Sequence, residues 1–443
     1  MSGSQTEGAT GRQTPSDATI LLREGDPPNA YSFYVLGLLC CVGALNFLDR
    51  QIITILLVPI KEELQVSDTA MGFVTGAAFA ISYMLAVLPL AYLAERVQRR
   101  KLIACCISAW SLMTVFSGMV TSYAQMVVCR AGVAAGEAGA DAPSHSMLSD
   151  FFPARWRARA SAVLSLGHSL GIFLGLAVGG YLAATAGWRV AYIAVGAFGI
   201  VVALLVWTIR EPRRGGRDPG MAHANPLPMV ASLRVLWRIK SYRYAVIATA
   251  FQSIAGYSWI GWMPTLLIRI HHLDIATVGL WMGLAAGLGV AAGVLLSGVV
   301  VDGRVVREPR WYSWIPGGGS LVSIVFSIVV ATAVDASLAI FAFIPFSIIR
   351  ATWGPPTHAL CQNLVGSHMR ATSAAVLGLS STFFGLGIGP IFVGVMNDLF
   401  NQRYGIDSIR YSLLIATIGF LLSAIFYFIS SRYVRDDLAR SRA

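Results

Sequence analysis

Long uninterrupted apolar runs constrain this chain more than any other feature. A hydrocarbon core of about 30 Å is crossed by roughly 20 helical residues. Runs of that length or longer recur at 33–59, 70–93, 102–122, 125–148, 159–184, 190–209, 244–268, 277–300, 312–333, 336–364, 372–397 and 410–431. Backbone groups in lipid must bond within their own segment or in a closed barrel. A barrel would alternate apolar and polar residues over about ten positions, which these continuous runs do not. The expected fold class is therefore all-α integral membrane, with 12 transmembrane helices. Composition agrees. The 443 residues are 56% hydrophobic and only 12% charged, whereas a soluble domain carries about 25% charged residues.

The net charge of +11 would suit a polyanion partner if the cations formed one patch. They do not. Of 33 Lys and Arg, 25 fall in the tails and in alternate loops. Five fall on the opposite side (Lys61, Arg189, Arg269, Arg403, Arg410), and three lie inside spans. This is the positive-inside pattern, and it places both termini in the cytoplasm. A nucleic-acid partner is not expected, because no stacking or groove-reading module is visible. All six cysteines fall inside predicted helices without metal-type spacing, and read as apolar packing residues. No nucleophile elbow, zinc-helix motif or phosphate loop occurs, so neither an enzyme nor direct ATP drive is expected.

The longest polar connection, 210–243, divides the chain into two sets of six helices. The expected organisation is a disordered cytoplasmic tail (1–31), a first half (32–209), a linker (210–243), a second half (244–432) and a tail (433–443). Within the linker, 228–240 could form a surface amphipathic helix, with Arg234, Arg238 and Lys240 toward anionic headgroups. The halves are related. APSHSMLSDFFPARWRARASAV (142–163) aligns without gaps with PPTHALCQNLVGSHMRATSAAV (355–376) at an offset of 213. Paired halves are the organisation of transporters with a substrate site between them near the bilayer midplane.

The loop AYLAERVQRRK (91–101) resembles the signature of the major facilitator superfamily. Ala91, Glu95 and Gln98 replace the usual Gly, Asp and Gly. A decayed copy, GVVVDGRVVRE (298–308), keeps Gly298, Asp302 and Arg307. The resemblance implies that Glu95, Arg99, Arg100 and Asp302 form a cytoplasmic gate. NFLDRQ (46–51), Arg130 with Gly136-Glu137-Ala138, GWR (187–189) and REP (210–212) are similar to the Spinster branch. That branch is associated with export of lysophospholipids and sphingolipid-like molecules. The same pattern occurs in bacterial chains whose substrates are unassigned.

Six ionisable residues lie inside spans: Asp49, Arg50, Arg130, Glu137, Asp141 and Arg350. Each charge costs roughly 2.5–3.5 kcal/mol at a helix centre, so such residues face the bundle interior. The expectation is a positive pocket of Arg50 and Arg130, partnered by Asp49 and Glu137. An anionic headgroup would compete with Glu137 for the arginines, and protonation of Glu137 would release them. Asp49, Glu137 and Asp141 are the proton-coupling candidates. Arg50, Arg130, Glu137 and Arg350 are the substrate-binding candidates. The alternative is a permanent ion-pair network that only joins spans 1 and 4. Arg350 stands at the repeat position of Glu137, so the halves present opposite charges there. His145 and His358 occupy matched positions, and His168 sits within a glycine ladder (167, 171, 175, 179) that reads as close helix packing.

The reading is a secondary transporter by alternating access, driven by a proton gradient without cofactor or metal, acting as a monomer in the cell membrane. Its partners would be membrane lipids, protons and a substrate. The substrate is a lysophospholipid or related anionic or zwitterionic amphiphile. The alternative is a small organic anion carried in symport.

Overall fold

The computed structural model describes residues 19–20, 27–212, 229–366 and 369–442. Among the described residues, nine segments are long and apolar enough to cross a membrane on composition alone. One of them, Thr372–Ser441, contains two helices that part at Gly405, whose φ is +53°. Two more spans fall short on composition or continuity. Span 4 is broken and charged (Tyr123–Glu137, then Asp141–Phe151). Span 7 is rich in polar residues (Lys240–His271). With these, the twelve expected helices are present.

The remaining spans are Ala30–Leu64 (1), Asp68–Arg96 (2), Arg99–Ser117 (3), Ala154–Ala186 (5) and Trp188–Trp207 (6). In the second half they are Ile275–Val305 (8), Trp311–Thr332 (9), Ala336–Asn363 (10), Arg370–Tyr404 (11) and Ser408–Arg442 (12). The helix Met229–Arg238 precedes span 7. It buries Leu236 against the second half and leaves Arg234, Trp237 and Arg238 exposed. The only pairing of extended chain among the described residues is a two-residue parallel ladder, Thr19–Ile20 with Glu211–Pro212.

Lipid gives helices no hydrophobic reason to associate, so close backbone approach carries the packing. The glycine ladder of span 5 does this against span 1. A β-carbon at Gly171 would stand 2.1 Å from the Ala44 carbonyl oxygen, and one at Gly167 2.5 Å from that of Cys40. Arginines close helix ends in both halves. Arg189 donates to the Val120 carbonyl at 2.8 Å, and Arg410 to those of Ala331 and Ala333 at 2.8 and 3.0 Å. A cation at a helix C-terminus meets the negative end of the helix dipole. GWR is thereby explained: Trp188 and Arg189 both donate to Glu63 at 2.6 Å, tying spans 1, 3 and 6.

The core shows how the halves meet. At the end away from the chain termini, one apolar cluster runs through both halves, from Ile52 and Leu56 to Trp262 and Phe346. At the terminal end the halves have separate cores, one around Trp110 and Phe151, the other around Tyr242 and Tyr427. Four charges reinforce the far end. Asp68 takes both Arg269 nitrogens at 2.6 and 2.8 Å and Lys61 at 2.7 Å. Asp398 accepts from the backbone amides of Asp68 and Thr69. The halves are locked at the far end and part toward the terminal end.

Candidate functional site

Two helices break where the site needs them to. Span 4, expected as continuous, stops at Glu137 and restarts at Asp141. Span 10 stops at Ala351, just past Arg350, and restarts at Gly354. The break positions match the repeat offset, so Glu137 and Arg350 each sit at the end of a half-helix. Spans 2, 8 and 11 carry widened π-helical turns at Phe73–Ala77, Leu284–Leu288 and Ser381–Ile388. Such turns recur at functional sites because they re-aim side chains. Thr75, Ala286, Ser381 and Leu386 from these turns all line one cavity of about 240 Å³ between the halves.

The first-half wall of that cavity carries Arg50. Its Nε donates to Glu137 Oε2 at 2.7 Å. The guanidinium also lies 5.3 Å from the Phe47 ring centroid and 5.1 Å from those of Phe79 and Tyr83. Aromatic faces stabilise a desolvated cation through their quadrupoles. Glu137 is 0% exposed, and its Oε1 has no hydrogen-bond partner. A carboxylate with one oxygen committed and one free can take a proton without losing its first bond.

Asp49 and Arg130 stand behind this wall. Adjacent residues on a helix point apart, and Asp49 turns into the bundle, accepting from Thr114 Oγ1 at 3.0 Å. Arg130 donates through Nη1 to the Asp49 main-chain oxygen at 3.1 Å and lies over Phe79 at 5.3 Å. Both are 2% exposed. The expected four-residue cluster is assembled, but only Arg50 of its two arginines lines the cavity. Arg130 braces the backbone of span 1 from behind.

Asp141 begins the second part of span 4 and is half-exposed. His168 Nε2 is 3.9 Å from its Oδ1 and the His168 ring stacks on Phe47 at 4.6 Å. Sequence reasoning set His168 aside, yet it packs directly beneath the wall residue Phe47. Phe79 and Tyr83 were missed as well. Their signal was present in the sequence as an aromatic pair four apart on span 2.

The second-half wall holds Arg350, Tyr257, Ser253, Ser381 and Trp353. Ser253 and Ser381 hydroxyls lie 2.9 Å apart. Of the other large aromatics on spans 7 and 10, Trp259 donates to Thr417 and Trp262 to the Pro390 carbonyl inside the core. Phe343 and Phe346 are core as well, and Phe251 stacks on Phe426.

The expected gate residues separate. Arg99 is buried, donating to Asp150 at 2.6 Å and Glu211 at 2.9 Å. The Arg100 amide donates to Glu211 at 3.0 Å, and its side chain donates to the Ile209 carbonyl at 2.7 Å. REP (210–212) is therefore the segment that the loop arginines hold. Glu95 is exposed at the end of span 2. The Asp302 side chain lies outside the described residues. The second half has the same latch with reversed charge. Glu308, in the loop after span 8, accepts from Arg435 of span 12 at 2.9 Å.

The comparisons agree with this geometry. Residues 39–390 match the model of the Major Facilitator Superfamily. An MFS-type efflux pump of Mycolicibacterium smegmatis is 32% identical over 92% of this chain and 94% of its own length. The sphingosine-1-phosphate transporter SPNS2 of Danio rerio is 24% identical over 90% and 84%. Among solved structures, a bacterial homolog of the human lysosomal transporter Spinster, inward-facing and unoccupied, superposes with a TM-score of 0.85. It is 28% identical and covers 92% of this chain and 98% of its own. These relatives are transporters and pumps, not enzymes. Paired half-helices, a charged cavity between two six-helix halves and a match across most of the length lead to one assignment: the chain belongs to the major facilitator superfamily, as a transporter of its Spinster branch.

Proposed function

We propose that the protein moves a lysophospholipid, or a related anionic or zwitterionic amphiphile, in exchange for or together with protons. The observation that carries this reading is the single ion pair on the cavity wall, Arg50 to Glu137 at 2.7 Å. Its carboxylate has one uncommitted oxygen. A proton on Glu137 weakens its hold on Arg50, and an anionic headgroup then takes the guanidinium. Loss of the headgroup restores the pair and expels the proton. Asp141 and His168 flank this switch on the side toward the chain termini, and Asp49 and Arg130 keep span 1 in register behind it.

The amphiphile is favoured because the same cavity has an apolar flank of Ile172, Val290, Val294 and Leu386 beside its charges. The Danio rerio relative named for sphingosine-1-phosphate transport supports a lipid-like cargo. The terminal end carries most of the cations, so it faces the cytoplasm, and the parted halves correspond to an inward-facing state. The second reading, a small organic anion carried in symport, rests on the same Arg50–Glu137 pair and makes no use of the apolar flank.

The test is uptake of labelled lysophosphatidylcholine by purified protein in liposomes, with and without a pH gradient. Gradient-dependent movement is expected. Movement indifferent to the gradient would remove proton coupling, and no movement by folded protein would favour the organic anion.

A further inference from the structure

The second-half wall is built around a cation whose setting differs from that of Arg50. Arg350 lines the cavity, and its Nε is buried without a hydrogen-bond partner. It lies against Gly256 of span 7, where a β-carbon would come within 3.0 Å of its Nη1 and 3.4 Å of its Cδ. One turn earlier on span 7, Gln252 is 2% exposed. It donates to the Arg350 carbonyl at 3.3 Å while accepting from Ser320 at 2.8 Å. Span 7 thus fixes the backbone of the span 10 break with one residue and makes room for the guanidinium with the next on the same face.

Beside this cation are hydroxyls. Ser253, Tyr257 and Ser381 line the same cavity. Ser381 belongs to the π-helical turn of span 11. Gly385 in that turn lets span 11 close onto span 7, since a β-carbon there would meet Tyr257 at 2.6 Å and Ser253 at 2.7 Å. The wall therefore offers a guanidinium for an anion and, next to it, neutral groups that can both donate and accept. It contrasts with the opposite wall, where Arg50 is already matched by Glu137.

We infer that this wall is a recognition site for an anionic group with a free hydroxyl a few atoms away, and that Gly256 is its positioning residue. The inference rests on the transport reading above and specifies it. A lysophospholipid has this chemistry in its phosphate and free glycerol hydroxyl, and a sugar acid has it in its carboxylate and adjacent hydroxyl. A diacyl phospholipid lacks the hydroxyl. In the site, the anion takes the open positions of Arg350 and the hydroxyl joins the Ser253–Ser381 pair. An additional methyl at position 256 presses the guanidinium aside by a few tenths of an ångström without adding or removing a charge.

The experiment is equilibrium binding to the purified full chain in detergent. The probes are 1-acyl-lysophosphatidylcholine, its 2-deoxy analogue and a hexonate sugar acid. The variants are Gly256→Ala, Arg350→Ala, the pair together, and Ser381→Ala. Loss of one charge-assisted contact weakens binding about tenfold or more. Arg350→Ala should do so, Gly256→Ala should weaken binding to a smaller extent, and the double variant should be no worse than Arg350→Ala alone. Wild type should prefer the lyso compound to its deoxy analogue, and Ser381→Ala should erase that preference even if Gly256→Ala fails to fold. Unchanged lysophospholipid binding in both Gly256→Ala and Ser381→Ala overturns the site and leaves the lysophospholipid reading intact. A wild type that binds only the hexonate, through Gly256 and Ser381, overturns the lysophospholipid reading and retains the site. Binding of neither probe overturns both.

Discussion

A buried carboxylate with one partnered and one unpartnered oxygen is unusual, because an unsatisfied buried polar atom costs roughly 1–3 kcal/mol. Glu137 keeps such an atom, Oε1. In the proposed cycle that oxygen is where a proton would be held. Glu137→Gln retains an acceptor for Arg50 but cannot ionise. It should still fold but melt several degrees lower, because buried Arg50 loses its counter-charge, and should abolish dependence on a pH gradient. Normal gradient-dependent uptake by Glu137→Gln in proteoliposomes would sink the coupling role. Arg130 calls for a different expectation. It binds a backbone oxygen behind the wall, so its removal acts through span 1. Arg130→Ala leaves a cavity between spans 1 and 4, and should cost about 3 kcal/mol of stability. Thermal unfolding in detergent measures this. If Arg130→Ala instead unfolds like wild type and only weakens binding, then Arg130 reaches the cargo directly.

The helices carry the message at the next scale. Spans 1 and 5 lie in contact along a ladder of glycines, and the contact positions Arg50 relative to His168 and Asp141. Gly171→Ala would force its β-carbon into the Ala44 carbonyl. Overpacking of this kind costs typically 1–3 kcal/mol, and the melting temperature should fall by several degrees. Gly37→Ala on span 1 is the control, because a β-carbon there meets nothing within 4 Å. It should be neutral or slightly stabilising, as helix propensity favours alanine. Equal melting temperatures for the two variants would mean that the ladder is not a tight contact. The break in span 10 was legible in the 353–356 Trp-Gly-Pro-Pro run, but the one in span 4 was not. Gly136 and Gly139 are punctuation that a helix in lipid can absorb. Only the surrounding spans determine whether it kinks or stops.

Over the whole molecule, the lock at the far end is the counterpart of the cavity. Asp68 has one carboxylate facing two cations, one from each half. Removing the charge of a buried, paired group leaves its partners uncompensated and is strongly destabilising to that contact. Asp68→Asn should therefore shift the population toward opening at the far end by about tenfold or more. The readout is maleimide labelling of Thr75→Cys in a cysteine-free background, using a membrane-impermeant reagent applied from the far side. Faster labelling in Asp68→Asn is expected. Equal rates would show that the apolar core shared by the halves holds the far end closed without Asp68.

The amino-acid sequence by itself determined the spans, the repeat and the identity of the buried charges. These follow from one-dimensional physics: a membrane's thickness sets the length of an apolar run, and the cost of charge in lipid makes each intramembrane ionisable residue stand out. Which charges pair was decided only in three dimensions. Arg50 and Glu137 are 87 residues apart, and no pattern along the chain says that Arg50 turns to the cavity while Asp49 and Arg130 turn away. That choice depends on helix rotation, which is set by the glycine contacts of span 5 and the arginine-closed ends of spans 3 and 9. Phe47, Phe79 and Tyr83 gained their meaning in the same way, as the faces on which a guanidinium from another part of the fold comes to rest.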